Sequence, residues 1–377
     1  MILLGNLVPI LIFIIILGLV IFIHELGHFL MARRAGVFVK EFAMGMGPKL
    51  FSFRGRKQAL NAIPGEDDVT VFSLRALPIG GFCAVRGEEE GVEGDQEALN
   101  NKTILQRGLF MLGGSLFNFI MAFVVFFVLA LLVGYTIPRV YMVAEGSPAY
   151  ESGLMVGDRI THFNGTGVRL WSNLQLTLDM YGGQPIDVRV IRDGQRVNLN
   201  ITPAVATDGR YVIGFVPHRA VGLLDEMRDG DRFERVGVWG SLVNSADNVM
   251  FNVSAPFRLL SRFVTRQPVP EGGGVMGPIG MAGVVTDIYQ EVSAESMMDT
   301  FLVMLSLLGV INVALGVMNL LPIPALDGSK LVFLMIEAVR RKPVPQEKEN
   351  LVHFVGMVLL IALGIFIAYR DIANLLQ

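Results

Sequence analysis

Four long runs without Asp, Glu, Lys or Arg divide the chain: Met1 to Ile23, Gly108 to Pro138, Thr300 to Leu326 and Leu351 to Tyr369. A helix needs about 20 apolar residues to cross a hydrocarbon core, so each run is long enough to span a membrane. Between the second and third runs the pattern shortens, and segments such as "IDVRVIRDG" and "RVNLNITP" carry the alternation and turn residues of β-strands. Near 239–266 the spacing predicts an amphipathic helix, and "EGGGVMGPIG" beyond it reads as a loop leading to the third run. Between the first two runs, "EFAMGMGPKLFSFRGRK" and "VTVFSLRALPIGGFCAVRG" are β-rich and border apolar runs on both sides. They predict a β-rich region at the membrane, with Gly45, Gly47, Gly80 and Gly81 where another backbone can approach closely. The acidic run "GEEEGVEGDQE" that follows reads as a solvated loop.

The expected fold is a polytopic α-helical membrane protein with four transmembrane helices, a membrane-associated β-hairpin region and an α+β insertion. Its expected segments are a first transmembrane helix over 1–32, a β-rich region and acidic loop over 33–107, a second helix over 108–138 and a folded insertion over 139–218. An amphipathic-helix and linker region over 219–298 follows, then a third helix over 299–328, a loop over 329–350 and a fourth helix over 351–377. Composition agrees: the 377 residues are 52% hydrophobic and 17% charged, with a mean hydropathy of +0.54, too apolar for an ordinary soluble protein. The net charge of -3 offers no basic excess for nucleic acid.

Basic residues near the helix ends set the expected orientation. Arg33, Arg34, Lys40 and Lys49 follow the first helix, Lys102 and Arg107 precede the second, and Arg340, Arg341 and Lys342 follow the third. These segments should be cytoplasmic, which puts both termini and the insertion outside. The first run lacks a basic n-region and a small-residue cleavage site, so it reads as a retained helix and not a signal peptide.

The candidate chemistry lies in "IFIHELGHFL", residues 21–30. His24-Glu25-Leu26-Gly27-His28 is an HExxH pattern. On a helix, positions i and i+4 share a face, so both imidazoles can reach one zinc while Glu25 stands beside a water as general base. Snorkelling to the headgroups is the bland alternative, but polar groups at the end of an apolar run default to a functional reading. The single cysteine, Cys83, excludes an internal disulfide and a cysteine zinc site, so His, Asp or Glu must hold a metal. Catalytic zinc takes three protein ligands and leaves a fourth position to water. His162 lies in the insertion, His218 in an expected external linker, and His353 at the start of the fourth helix, where interfacial histidines are commonplace. Asp327, in "NLLPIPALDGSKL", lies on the same expected side as His24 and His28 and is the expected third ligand. Pro322 and Pro324 break the helix before it, and unwound backbone in a membrane needs protein cover or a wet cavity. A water-accessible pocket is expected there.

"GSPAYESGLMVGDRITHFNG" within the insertion resembles the heart of a PDZ domain, which implies a PDZ-like α+β fold. Together with HExxH on a first transmembrane helix and "NLLPIPALDG" on a later one, it resembles the site-2 protease family of intramembrane zinc metalloproteases, in its bacterial RseP/RasP branch. "GMGPKLF", "ALPIGGF" and "NNKTILQR" extend the resemblance over nearly the whole chain. It implies zinc on His24, His28 and Asp327, Glu25 activating water, and Asn319 holding the backbone of an unwound substrate. Asn118, in "GGSLFNF", matches a second family asparagine near the active site, a helper for substrate or oxyanion. The implied location is the bacterial cytoplasmic (inner) membrane, with the active site near its cytoplasmic side. The implied substrates are single-pass membrane proteins such as anti-sigma factors, or signal-peptide remnants, trimmed outside by a site-1-type protease before reaching this chain in the bilayer. A membrane adaptor with a silent metal site shares some of these features. An ion carrier fits less well, since no internal repeat and few intramembrane carboxylates are present.

Overall fold

The computed structural model describes residues 7–57, 69–88, 94–168, 183–206, 211–223, 234–265, 277–294 and 296–375. Part of the acidic run and most of the glycine-rich segment before Gly277 lie outside the described residues. In chain order, α1 (Leu7–Arg34) leads to β1 (Val39–Lys57), β2 (Val69–Val85) and α2 (Ile104–Val133). Next come β3 (Gly134–Val143), α3 (Pro148–Glu151), β4 (Arg159–Phe163), β5 (Thr166–Gly167), β6 (Ile186–Arg192) and β7 (Gln195–Ile201). The short β8 (Ala204–Val205) and β9 (Tyr211–Val212), then β10 (Phe215–Val221), β11 (Glu234–Arg235) and α4 (Val238–Thr265), follow. The chain closes with α5 (Pro278–Ser293), α6 (Met297–Leu320), α7 (Asp327–Arg340) and α8 (Gln346–Leu375). Two compact units result: Met1–Ala122 with Gly274–Gln377, and Phe123–Gly273.

Among the described residues, four helices, α1, α2, α6 and α8, are long and apolar enough to cross a membrane. Between apolar helices in lipid, close packing needs small residues. A Cβ on Gly27 of α1 would overlap the Gly113 carbonyl oxygen of α2, and one on Gly113 would lie 2.7 Å from the Gly27 oxygen. Gly316 of α6 likewise lets the Phe119 ring approach, since a Cβ there would sit 2.8 Å from it. The glycine-rich segment, read from the sequence as a loop through residue 280, gives way to α5 at Pro278. Proline suits the first turn of a helix, where its missing N–H has no partner to lose. The buried Asp371 of α8 then accepts hydrogen bonds from the N–H groups of Gly277, 3.0 Å, and Gly280, 2.8 Å, anchoring the positive end of α5.

β1 and β2 pair with each other in an irregular register, so that residues 41–44 of β1 stand opposite both 71–74 and 81–84 of β2. Gly45 and Gly47, each at φ 83, let β1 bend between these pairings. Phe42 packs on Phe22 and Phe29 of α1, with ring centroids 5.9 and 5.5 Å apart, which fixes the hairpin to the first helix. Its far end exposes Met46, Leu50, Phe51, Phe53, Leu74 and Leu77. Such a patch suits contact with lipid.

In the second unit the sheet runs β11-β10-β3-β4-β6-β7, with β5 paired to β4. Ile160, Phe163, Ile186, Val188, Val190 and Ile201 form its core. The buried Asp158 carboxylate accepts from Arg192 at 2.8 and 2.7 Å and from the Met155 N–H at 2.9 Å. His218 lies within β10 and not in a linker, because 215–221 pairs along β3. α2 stops at Val133, five residues before the expected boundary at Pro138, because Gly134 turns the chain at φ 77 and the β-prone residues after it join that pairing.

Inside the hairpin, Glu41 accepts from the Ser73 hydroxyl at 2.6 Å and Arg75 at 2.9 Å, and pairs with Lys49 at 3.1 Å. Burial by itself would raise this carboxyl, but these partners outweigh it and hold the group below its ordinary value of 4.5. A depressed carboxyl contributes stability that is present above the unfolded value and lost as pH falls through the folded one. Glu41→Gln at neutral pH should therefore lower the amide protection factors of 41–53 and 71–82, and wild type and variant, compared at the same pH, should converge only below about pH 4.5. Unchanged protection in the variant would show that the clasp does not hold the hairpin.

Candidate metal centre

α1 carries His24 and His28 one turn apart, and its unbroken helix aims both rings toward α2. Asp327 comes from a different part of the chain. α6 ends at Leu320, the chain passes through Leu321–Leu326 without helical pairing, and Asp327 opens α7. A carboxylate in the first turn of a helix faces unpaired N–H groups and the positive end of the dipole, a setting that favours its anionic form.

The three side chains meet. His24 Nε2 lies 3.2 Å from His28 Nε2, and each lies 3.2 Å from Asp327 Oδ2. Donors at about 2.0–2.2 Å from a tetrahedral zinc stand roughly 3.3–3.6 Å apart, so this triangle needs only a slight widening to hold a zinc ion. Outer contacts orient the rings. His28 Nδ1–H donates to the Phe110 carbonyl at 2.8 Å, which leaves the Nε2 lone pair free for a metal. His24 Nδ1 lies 3.3 Å from the side-chain amide of Asn118, which is fully buried. With Nε2 as ligand, Nδ1 carries the proton, and an Asn118 amide turned to present its oxygen accepts it.

Glu25, between the two histidines in sequence, lines a cavity of about 1010 Å³ with His24, His28, Asp327 and Asn319. Across it stand Phe82, Cys83 and Ala84 of β2. The polar rim is closed by Lys330 to Glu88 at 2.7 Å and by Arg107, whose Nη1 lies 2.9 Å from both oxygens of Glu337. The arrangement offers three ligands, a carboxylate base, an amide and a strand edge around one polar space. Asn118 does not line this cavity; it stands behind His24 as the partner of a candidate ligand. His162 and His218 belong to the other unit, and His353 reaches the cavity wall without joining the triangle.

The backbone roles were not visible in the motif. Gly114 matters because a Cβ there would lie 2.5 Å from both His24 Cε1 and His28 Nε2. The signal for it was the pair of small residues in "GGSLFNF", matched by the glycine inside HELGH. Nothing in the sequence marks the Phe110 carbonyl as a histidine acceptor.

Residues 12–363 match Peptidase family M50. The chain is 27% identical over 442 residues to the zinc metalloprotease RasP of Geobacillus kaustophilus, with 96% of each chain covered. It is also 27% identical over 445 residues to the regulator of sigma-W protease RasP of Bacillus subtilis, covering 96% of this chain and 98% of that one. Among solved structures, the PDZ domain of the SdrC-like protein from Listeria monocytogenes matches at 20% identity and a TM-score of 0.21, covering 22% of this chain and 88% of that one.

Gly114→Val should strip zinc from the purified protein, because the added side chain occupies the space of both histidine rings. Gly18→Val in the same helix bundle is the control, since a Cβ there meets nothing within 4 Å. Zinc stoichiometry by elemental analysis checks this, and equal content in the two variants would contradict the close packing of α2 on the ligands.

Proposed function

Because this chain belongs to Peptidase family M50 and is a membrane-embedded zinc metalloprotease, we propose that it cleaves peptide bonds within the transmembrane segments of single-pass proteins already shortened outside the membrane. The observation that carries this reading is the ligand triangle of 3.2 Å edges beside Glu25 in a cavity next to apolar spanning helices.

His24, His28 and Asp327 would hold the zinc, with Phe110 and Asn118 orienting the two rings. When bound, zinc supplies Lewis acidity that lowers the pKa of a water and polarises a carbonyl. Glu25 accepts the proton from the attacking water and passes it to the leaving amine. A helical substrate shields its carbonyls in hydrogen bonds, so the segment must unwind before attack. The edge of β2 at Phe82–Ala84 lines the cavity and can receive the extended segment by strand addition, while the Asn319 amide holds its backbone. Asn118 is a positioning residue for His24 on this reading, and not a direct contact of the substrate.

The basic residues after α1, at the start of α2 and at the end of α7 favour a site near the cytoplasmic side, with both termini and the sheet domain outside. A PDZ-like domain there would admit substrates whose external part a site-1-type protease has removed, by size or by capture of the new C-terminus. Anti-sigma factors and signal-peptide remnants have the required single span. The B. subtilis relative is named a regulator of sigma-W protease, which supports the first of these.

Glu25→Gln is expected to keep zinc and abolish cleavage, so membrane proteomics of cells carrying it should show spanning stubs that lack their external domains. Stubs at equal abundance with the native protein would remove the protease reading of this site. Deleting residues 139–218 should let untrimmed proteins be cleaved; unchanged selectivity would reject the sheet domain as the filter.

A further inference from the structure

Resting on the assignment of His24, His28 and Asp327 to zinc, we infer that His353 is a positioning residue for that site, holding the strained backbone from which Asp327 emerges. Four described non-glycine residues have a positive φ: Asn164, Asp193, Ala325 and Arg341. Asn and Asp adopt this region readily, and Asn164 and Asp193 each precede a glycine in a tight turn. Arg341 caps the C-terminal end of α7, a usual place for the left-handed conformation. Ala325, at φ 76, has neither excuse. Such strain persists only where the surroundings over-determine it.

The surroundings here are α8 and the loop itself. The Ala325 N–H donates to His353 Nδ1 at 3.1 Å. One turn further along α8, Gly356 has no side chain, and a Cβ there would overlap Pro324. The loop is tightened by the Ile323 N–H donating to the Leu321 oxygen at 2.7 Å and the Leu326 N–H to the Ile323 oxygen at 3.1 Å. The His353 ring is itself placed by Phe333 of α7, with centroids 5.8 Å apart. As Nδ1 accepts, the proton sits on Nε2, which faces Glu349 Oε1 at 3.8 Å.

Asp327 follows Ala325 by two residues, so a change in φ at 325 displaces the carboxylate that completes the triangle. Glycine at 325 would adopt the same φ without strain and would need no external hold. His353 is therefore required because residue 325 is alanine, and this dependence separates a positioning role from general packing of α8.

The test uses the full-length, zinc-loaded protein and follows zinc release to an excess of chelator. His353→Leu keeps bulk but removes the acceptor, and release should quicken about tenfold or more, the usual effect of losing an outer-sphere partner. His353→Asn presents an oxygen near the place of Nδ1 and should stay within about threefold of wild type. In an Ala325→Gly background, His353→Leu should add less than about twofold, because the two positions are coupled. Release from His353→Leu at the wild-type rate, equal release from the Leu and Asn variants, or the same Leu effect in both backgrounds would each overturn the inference. Asp327→Ala is measured alongside. If it releases zinc no faster than wild type, the ligand assignment itself fails, whatever the His353 variants show.

Discussion

Three polar atoms from two distant parts of the chain stand 3.2 Å apart at the end of an apolar helix, and the rest of the first unit is arranged around that triangle. Holding two imidazoles and a carboxylate together beside hydrocarbon is costly without a cation to join them. Helix α1 supplies two donors at fixed spacing. The third needs a chain that leaves α6, crosses a short non-helical stretch and restarts as α7 with its acid at the first position. Glycines 27, 113 and 114 then let α2 come close enough to place a carbonyl behind one ring and an amide behind the other.

The same break that delivers Asp327 opens a polar space at the membrane. Hydrolysis consumes water, and a bilayer excludes it, so an enzyme acting on a spanning segment has to build a wet cavity from protein. Pro322 and Pro324 prevent α6 from continuing, and of the charged residues that line the cavity Lys330 pairs with Glu88 and Arg107 pairs with Glu337. Paired charges keep a rim hydrated without leaving a buried ion uncompensated.

β2 brings a strand edge to this site. Gly81 allows the strand to lie against Ile21 and Glu25, since a Cβ there would stand 3.0 and 3.2 Å from their side chains. The residues after it, Phe82 to Ala84, thereby become a cavity wall. A strand edge beside a general base is suited to a peptide that has lost its helical hydrogen bonds, because main-chain pairing replaces what unwinding removes.

Much of this was legible in the chain alone. Long uncharged runs fix the number of spanning helices, since lipid tolerates few other sequences. HExxH spacing puts His24 and His28 on one face by the 3.6-residue period, and Asp327 is conspicuous after a long apolar run closed by two prolines. Local pattern also placed α4 within a residue or so of its bounds. It misplaced the end of α2 and read as a loop the residues where α5 begins, because a β3 pairing with β10 and an Asp371 anchor lie about 80 and 90 residues away. The same limit applies at the site. Asn118 could be named but not given its neighbour, His218 was assigned to a linker until strand pairing enclosed it, and the acceptor for His28 is a backbone carbonyl that any residue type would provide. Sequence determines which groups are chemically able and which segments lie in lipid, through periodicity and transfer cost. Which atoms meet, and with what partner behind each, is decided by packing between segments far apart in the chain.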